Sequence, residues 1–298
     1  MKKTYSFLHT GLILIAAMIW GFAFVAQKEG MQYIGPFLFN TLRFFIGSFL
    51  LFIVFYKELK GITKKVFISG IILGLLLFAG ASFQQIGIQY TQAGNAGFIT
   101  SLYIVFIPII GMFFKRKTGL LIWVAIFIAI VGFMLMSLDL NSLKLSFGDI
   151  LVFIGSIFWA LHVSFIESYA SLNKSIALAC IQFMVAGILS LLFTLPTESF
   201  SFEAIQMAWI PIAYAGIFSI GIAFTLQIYA QRFVPANIAG ILFSSEALFA
   251  LLGGIIILDE TLIFKQWLGA LLILSAILLV QLFQTYNIKN KLIIKEQQ

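Results

Sequence analysis

The chain has little of what most protein chemistry is built from. One cysteine, Cys180, stands in 298 residues, so no intramolecular disulfide can form and no thiolate cluster can hold a metal. Two histidines, His9 and His162, are too few for a histidine metal centre. No G-x-x-x-x-G-K-S/T sequence is present to cradle a nucleotide, which argues against direct ATP-driven work by this chain. No paired-acid motif for a magnesium–pyrophosphate substrate stands in a membrane-level loop. Charged residues make up only 10% of the composition, against 62% apolar residues and a mean hydropathy of +1.09. Such a balance excludes a soluble domain.

In lipid every backbone polar group must be satisfied internally, which leaves helices or closed barrels. Gly11–Val25, Val66–Phe83 and Gly269–Phe283 are continuous apolar runs without two-residue alternation, so the fold class is an all-α polytopic membrane protein. Ten spans of about 20 residues fit, near 9–27, 36–56, 66–87, 94–114, 119–137, 148–167, 176–195, 207–229, 235–257 and 264–284. The second five echo the first. Met18-Ile19-Trp20 is answered by Ile157-Phe158-Trp159, and Ala93-Gly94-Asn95-Ala96-Gly97 by Ala236-Asn237-Ile238-Ala239-Gly240. Because five is odd, the second copy runs through the bilayer upside down, the architecture of carriers whose halves rock about a central site. The units expected are 9–137, 148–284 and a basic cytoplasmic tail, 285–298.

Lys and Arg set the orientation. With the N-terminus inside, cytoplasmic segments carry 14 of them, including Lys2, Lys3, Lys57, Lys60, Lys115, Arg116, Lys117, Lys174 and Arg232; the opposite side holds 3, Lys28, Lys144 and Lys265. Both termini are therefore expected in the cytoplasm, and the chain in the inner or plasma membrane. The pI near 9.4 follows from this bias and needs no nucleic-acid partner. Lys2-Lys3 ahead of an apolar run imitate a secretory signal, but removing that run would delete the counterpart of span six. The acids Asp139, Asp149, Glu198, Glu203, Asp259 and Glu260 fall at outer span ends, where they read as surface acids on the non-retained face.

Polar residues deep in apolar spans carry the functional signal, because an ionised side chain near the bilayer centre costs about 2.5–3.5 kcal/mol on insertion scales. Arg43 lies about 10 Å into span two and Glu246 about 15 Å into span nine, at the helical rise. Arg43 reads either as a buried packing partner or as a donor fork for a substrate carboxylate or phosphate. Glu246 reads as a structural acid, a proton carrier or a counter-ion for a cationic group. His162 is either a titrating group or a histidine bonded to a neighbouring helix. Neutral groups recur across the copies: Gln84 answers Gln227, Ser101 answers Ser244, and Gln182 takes the slot of Arg43. Trp20 and Trp159 are packing or belt residues, or symmetric walls of a vestibule. Gly70 with Gly74, and Ala250 with Gly254, permit close helix approach, while Pro108 and Pro211 are expected joints for rocking.

Leu42-Arg43, Thr91-Gln92-Ala93-Gly94-Asn95-Ala96, Pro235-Ala236-Asn237-Ile238-Ala239, and Leu258-Asp259-Glu260-Thr261 followed by Gln266-Trp267-Leu268-Gly269 resemble the EamA family of the drug/metabolite transporter superfamily. The resemblance covers about residues 9–284 and departs at Arg116-Lys117, where family members often carry an acid. It implies a ten-helix basket, a central cavity between the halves and, often, export of amino acids or other small metabolites. The cavity residues expected are Arg43, Glu246, His162, Trp20, Trp159, Gln84, Gln227, Tyr103 and Ser245. The partners expected are a small-molecule substrate, the lipid bilayer and protons as a candidate coupling ion, with no cofactor; the oligomeric state is not legible. A membrane-embedded lipid-processing enzyme and a non-transporting receptor or scaffold are the competing readings.

Overall fold

The structure, a computed structural model, describes residues 7–113, 120–139, 144–170, 172, 174–276, 278, 279 and 282. The expected features at Lys2, Lys3, Lys115-Arg116-Lys117 and the 285–298 tail lie outside them.

The first copy supplies α1 (Phe7–Gly30), α2 (Pro36–Phe55), α3 (Lys64–Ile88), α4 (Ala93–Thr100), α5 (Tyr103–Phe113) and α6 (Leu120–Ser137). A two-residue antiparallel bridge, Leu138–Asp139 with Lys144–Leu145, leads into the second. That copy holds α7 (Phe147–Ala170), α8 (Ser175–Thr197), α9 (Phe202–Met207), α10 (Trp209–Ala213), a π-helical segment Tyr214–Ala223, α11 (Phe224–Ala230), α12 (Ala236–Phe243), α13 (Glu246–Leu258) and α14 (Phe264–Ala276). Seven helical stretches are long and apolar enough to cross a membrane, beside three shorter apolar helices. Large side chains such as Phe52, Leu120, Leu195 and Phe264 stand exposed on the outside, as a lipid-facing surface requires.

The packing repeats as the sequence does. α3 lies on α7 and α8; correspondingly, the π-helical segment lies on α1 and α2. α1 packs on α13, and α7 on α4 and α5, while the equivalent spans pack on each other, α2 on α8 and α4–α5 on α12–α13. Those equivalent pairs run antiparallel. Thr41 meets Thr194 at 3.3 Å, whereas Ser48 donates to the Cys180 carbonyl at 3.0 Å. Likewise a Cβ on Gly97 would press on Ala250, and one on Gly240 would press on Ile107. Gly70 and Gly74 seat α3 against Ile181 and Val185 of α8, where a Cβ would approach within 2.6 Å. Such close approach supplies the dispersion contacts that hold helices together in lipid.

Two expected joints move. Pro108 stays inside α5, and Pro211 sits in the first turn of α10, where its missing N–H would have had no partner anyway. The breaks in spans four and nine fall instead at Ser101-Leu102 and Ser244-Ser245. Ser101 Oγ bonds back to the Gly97 carbonyl at 3.0 Å, and Ser245 Oγ to the Leu242 carbonyl at 2.7 Å. Hydroxyls that bond to the preceding turn compete with the backbone ladder and bend the helix. The two breaks meet, with Ser101 Oγ 3.4 Å from the Ser244 carbonyl.

The outer acids also do more than mark a surface. Asp149 is 1% exposed and accepts from the Thr91 hydroxyl. Glu198 accepts from the Phe37 and Leu38 amides at 2.8 Å each, and Glu260 from those of Ala93 and Gly94 at 2.5 and 3.1 Å. Glu198 and Glu260 thereby satisfy orphan donors at the positive end of a helix from the other copy. Asp259, left-handed at φ 51°, turns the chain after α13 so that Glu260 points back. On the same side Lys28 Nζ closes α3 on the carbonyls of Ile88, Gln89 and Thr91 at 2.8–3.2 Å.

Candidate functional site

Seventeen residues from both copies surround one cavity at the core of the bundle. α1 contributes the stripe Trp20, Ala23, Phe24 and Gln27, spaced to lie on one helix face. Arg43 and Phe44 enter from α2, Gln84 from α3, Thr100 from α4, Tyr103 from α5, and Trp159 with Val163 from α7. The second copy completes the wall with Ser219, Ile220, Phe224, Gln227, Phe243 and Glu246. The space open to water-sized centres is about 50 Å³, room for roughly three or four waters. The chamber is small.

Its charges face inward with no opposite charge beside them among the described residues. Arg43 is 3% exposed and Glu246 4% exposed, yet Arg43 Nε and Glu246 Oε1 have no hydrogen-bond partner and the two side chains do not pair with each other. The Arg43 guanidinium instead lies 5.1 Å from the Phe44 ring centre and 5.7 Å from that of Phe39, contacts of the cation–π kind. Glu246 opens α13, because the break at Ser244-Ser245 creates a fresh helix start there; the dipole at that start favours a negative group. Tyr103 opens α5 in the equivalent place, its hydroxyl directed at the Glu246 carboxylate.

A neutral network stiffens one wall. Trp159 Nε1 donates to Gln84 Oε1 at 2.8 Å, Gln84 Nε2 to Gln27 Oε1 at 3.0 Å, and Gln27 Nε2 to the Ala23 carbonyl at 3.0 Å. Trp20 Nε1 donates to the Ser219 carbonyl at 3.3 Å. Both indoles also bear on Phe224, with ring centres 4.7 and 5.9 Å away. Replacing Gln84 with leucine strands the Trp159 and Gln27 groups in an apolar wall; an unmet buried donor costs about 1–3 kcal/mol. The expected result is a lower unfolding temperature for Gln84→Leu, read by tryptophan fluorescence in detergent. An unchanged temperature would remove the network from the fold's support.

Of the nine residues expected at the site, Arg43, Glu246, Trp20, Trp159, Gln84, Gln227 and Tyr103 line the cavity. His162 and Ser245 do not. His162 is fully buried one turn from Trp159, with Nε2 2.9 Å from Gln182 Oε1, so the neighbouring helix takes up its polar edge. The Ser245 hydroxyl is spent on its own helix. Gln27, Ser219 and the phenylalanines of the wall were not singled out by sequence. Gln27 had a signal, since it lies seven residues after Trp20 on the same helical stripe; in a chain with 34 phenylalanines the aromatic wall had none. Among the described residues no group of three or more His, Cys, Asp or Glu is placed to hold a metal ion.

The EamA-like transporter family model matches the chain twice, over residues 10–138 and 146–282. An uncharacterized transporter of Archaeoglobus fulgidus is 34% identical over 95% of this chain and 87% of its own length. The uncharacterized transporter YoaV of Bacillus subtilis is 26% identical over 89% of this chain and 94% of its own. The uncharacterized inner membrane transporter YedA of Escherichia coli K12 is 24% identical over 91% and 90%. A solved structure described only as a crystal structure of a protein superposes with a TM-score of 0.70 at 16% identity, covering 92% of this chain and 96% of that one, which speaks to the fold alone.

Proposed function

Because the chain belongs to the EamA-like transporter family, a family of multi-pass membrane proteins, we propose that it is a secondary carrier that moves a small, amino-acid-like metabolite by alternating access, most simply as an exporter. In this reading ten helices cross the bilayer as an inverted five-plus-five repeat, 9–137 and 148–284, with both termini and the basic 285–298 tail in the cytoplasm. The antiparallel packing of α2 on α8 and of α4 on α13 supports the inversion. The excess of lysine and arginine on one side supports the orientation.

One observation carries the reading: a buried cation from the first copy and a buried carboxylate from the second face the same aromatic-walled chamber, neither matched by an opposite charge among the described residues. Leaving both so is costly unless a ligand completes them. A zwitterion does so, its carboxylate on the Arg43 fork and its ammonium on Glu246, with Tyr103 as an adjacent hydroxyl. The tryptophans and Phe224 then act as walls around the apolar part. Glu246 is also the group best placed to exchange a proton with the chamber, which makes it the candidate for coupling to a pH gradient.

The experiment is a metabolite screen in vesicles of purified protein, with and without a pH gradient. The expected result is saturable counterflow of a zwitterionic solute. Glu246→Gln should lower that flux by roughly 30-fold or more, because truncating one partner of a buried charge contact costs about 2–5 kcal/mol. Wild-type flux in Glu246→Gln discards the assignment, and no flux of any solute by the parent protein discards the carrier.

A further inference from the structure

Two long helices start in equivalent places, α2 at Pro36 and α8 at Ser175, with the same 139-residue offset that relates Trp20 to Trp159. At α2 the second and third amides are taken by Glu198, across the boundary between the copies. At α8 the corresponding amides belong to Ile176 and Ala177, and among the described residues no side chain caps them. Its start opens instead on a crevice of about 290 Å³, lined by Glu58, Lys174, Ser175, Ile176, Ala177 and Arg232 among others. Ser175 is 7% exposed, and its hydroxyl, on the wall of that crevice, has no hydrogen-bond partner. Lys174 Nζ holds the loop after α2 nearby, through the Lys60 carbonyl at 3.0 Å. Two residues earlier in that loop, Glu58 is exposed and its carboxylate engages no described residue.

We propose that the start of α8 is a carboxylate site and that Glu58 is its occupant, engaged when the carrier closes on this face. The proposal rests on the alternating-access reading above. Helix amides, the Ser175 hydroxyl and the Lys174 ammonium can all donate, so the helix start suits a carboxylate. Glu58 lies one residue from the counterpart of Glu198 at the 139-residue offset, and Glu198 shows in this same fold how such a helix start receives a carboxylate. The structure is thus closed by Glu198 on one face and open at Glu58 on the other; rocking exchanges the two contacts.

The second pair does not exchange. Glu260 caps α4, but the residue at the matching 143-residue offset, the offset relating Ser101 to Ser244, is Lys117. A lysine cannot accept from the Ala236 amide at the start of α12. Among the described residues, one face thus has three carboxylate contacts across the halves, from Asp149, Glu198 and Glu260, which favours the state seen here.

A reporter cysteine decides it. In a Cys180→Ala background, Ser219→Cys lines the chamber, and a membrane-impermeant maleimide is added to sealed vesicles of either orientation. Glu58→Gln should slow labelling from the Glu198 face about tenfold, since it weakens only the state open there, and Glu198→Gln should speed it by a similar factor. Equal rates for Glu58→Gln and parent, or a drop of the same size from both faces, overturns the Glu58 contact. If no variant, Glu198→Gln included, admits reagent from the Glu198 face, alternating access itself falls.

Discussion

Arg43→Met is expected to make the protein more stable and, at the same time, unable to transport. The guanidinium is 3% exposed, lacks an ion partner and leaves Nε unbonded. Its compensation is confined to the rings of Phe39 and Phe44, contacts worth about 0.5–2 kcal/mol. A methionine of similar length keeps the packing and removes the burden of a desolvated charge; exchanging buried ionic groups for apolar ones is often stabilising by about 1–4 kcal/mol. The unfolding temperature should rise by several degrees, at roughly 2–4 °C per kcal/mol for a chain of comparable size. Flux of the zwitterionic substrate should fall by two orders of magnitude or more, about 3 kcal/mol of lost charge-assisted contact. Thermal unfolding and counterflow measured on one preparation separate the outcomes. A lower unfolding temperature would make Arg43 a structural tie.

Gly148→Ala is expected to be strongly destabilising for a single added methyl group. A Cβ at Gly148 would stand 2.5 Å from the Gly87 carbonyl oxygen and 2.8 Å from the Tyr90 carbonyl carbon. Both are backbone atoms, so no side chain can rotate away. From the other side, a Cβ at Gly87 would stand 2.7 Å from the Gly148 carbonyl. The two helices meet backbone to backbone, and one added carbon forces α3 from α7 near the point where Thr91 bonds Asp149. Overpacking typically costs about 1–3 kcal/mol, and the loss of the neighbouring buried hydrogen bond adds about 1 kcal/mol or more. Gly11→Ala is the control, because nothing lies within 4 Å of a Cβ there. Equal unfolding temperatures for the two variants would show that α3 and α7 separate without penalty.

The helical architecture and seven of the seventeen lining residues were legible because both follow from one-dimensional signals. Apolar run length gives the helices, and the constant offset between Trp20 and Trp159 gives the repeat. Arg43 and Glu246 stand out because lipid makes a charge expensive wherever it has no reason to be. Residues defined by their partners were not legible. His162 and Gln182 look like two more polar groups in apolar spans, and only the approach of α7 to α8 turns them onto each other. Gln182 also shows where symmetry stops: it occupies the slot of Arg43, yet its amide is directed at His162 while Arg43 faces the chamber. The helix breaks were misjudged for a related reason. Proline announces a kink in any sequence, but a serine breaks a helix only where its hydroxyl bonds back to the preceding turn.

The meeting of the two serine breaks divides the length of the membrane. α4 has 8 residues and α5 has 11, while α12 and α13 have 8 and 13; at about 1.5 Å per residue each piece is about 12–20 Å long. Half of a hydrocarbon core of about 30 Å falls in that range. Each piece is thus matched in length to a single leaflet. In the proposed carrier such a piece would tilt as a lever about the serine break, and the lateral pressure of one lipid monolayer would bear on one entrance alone.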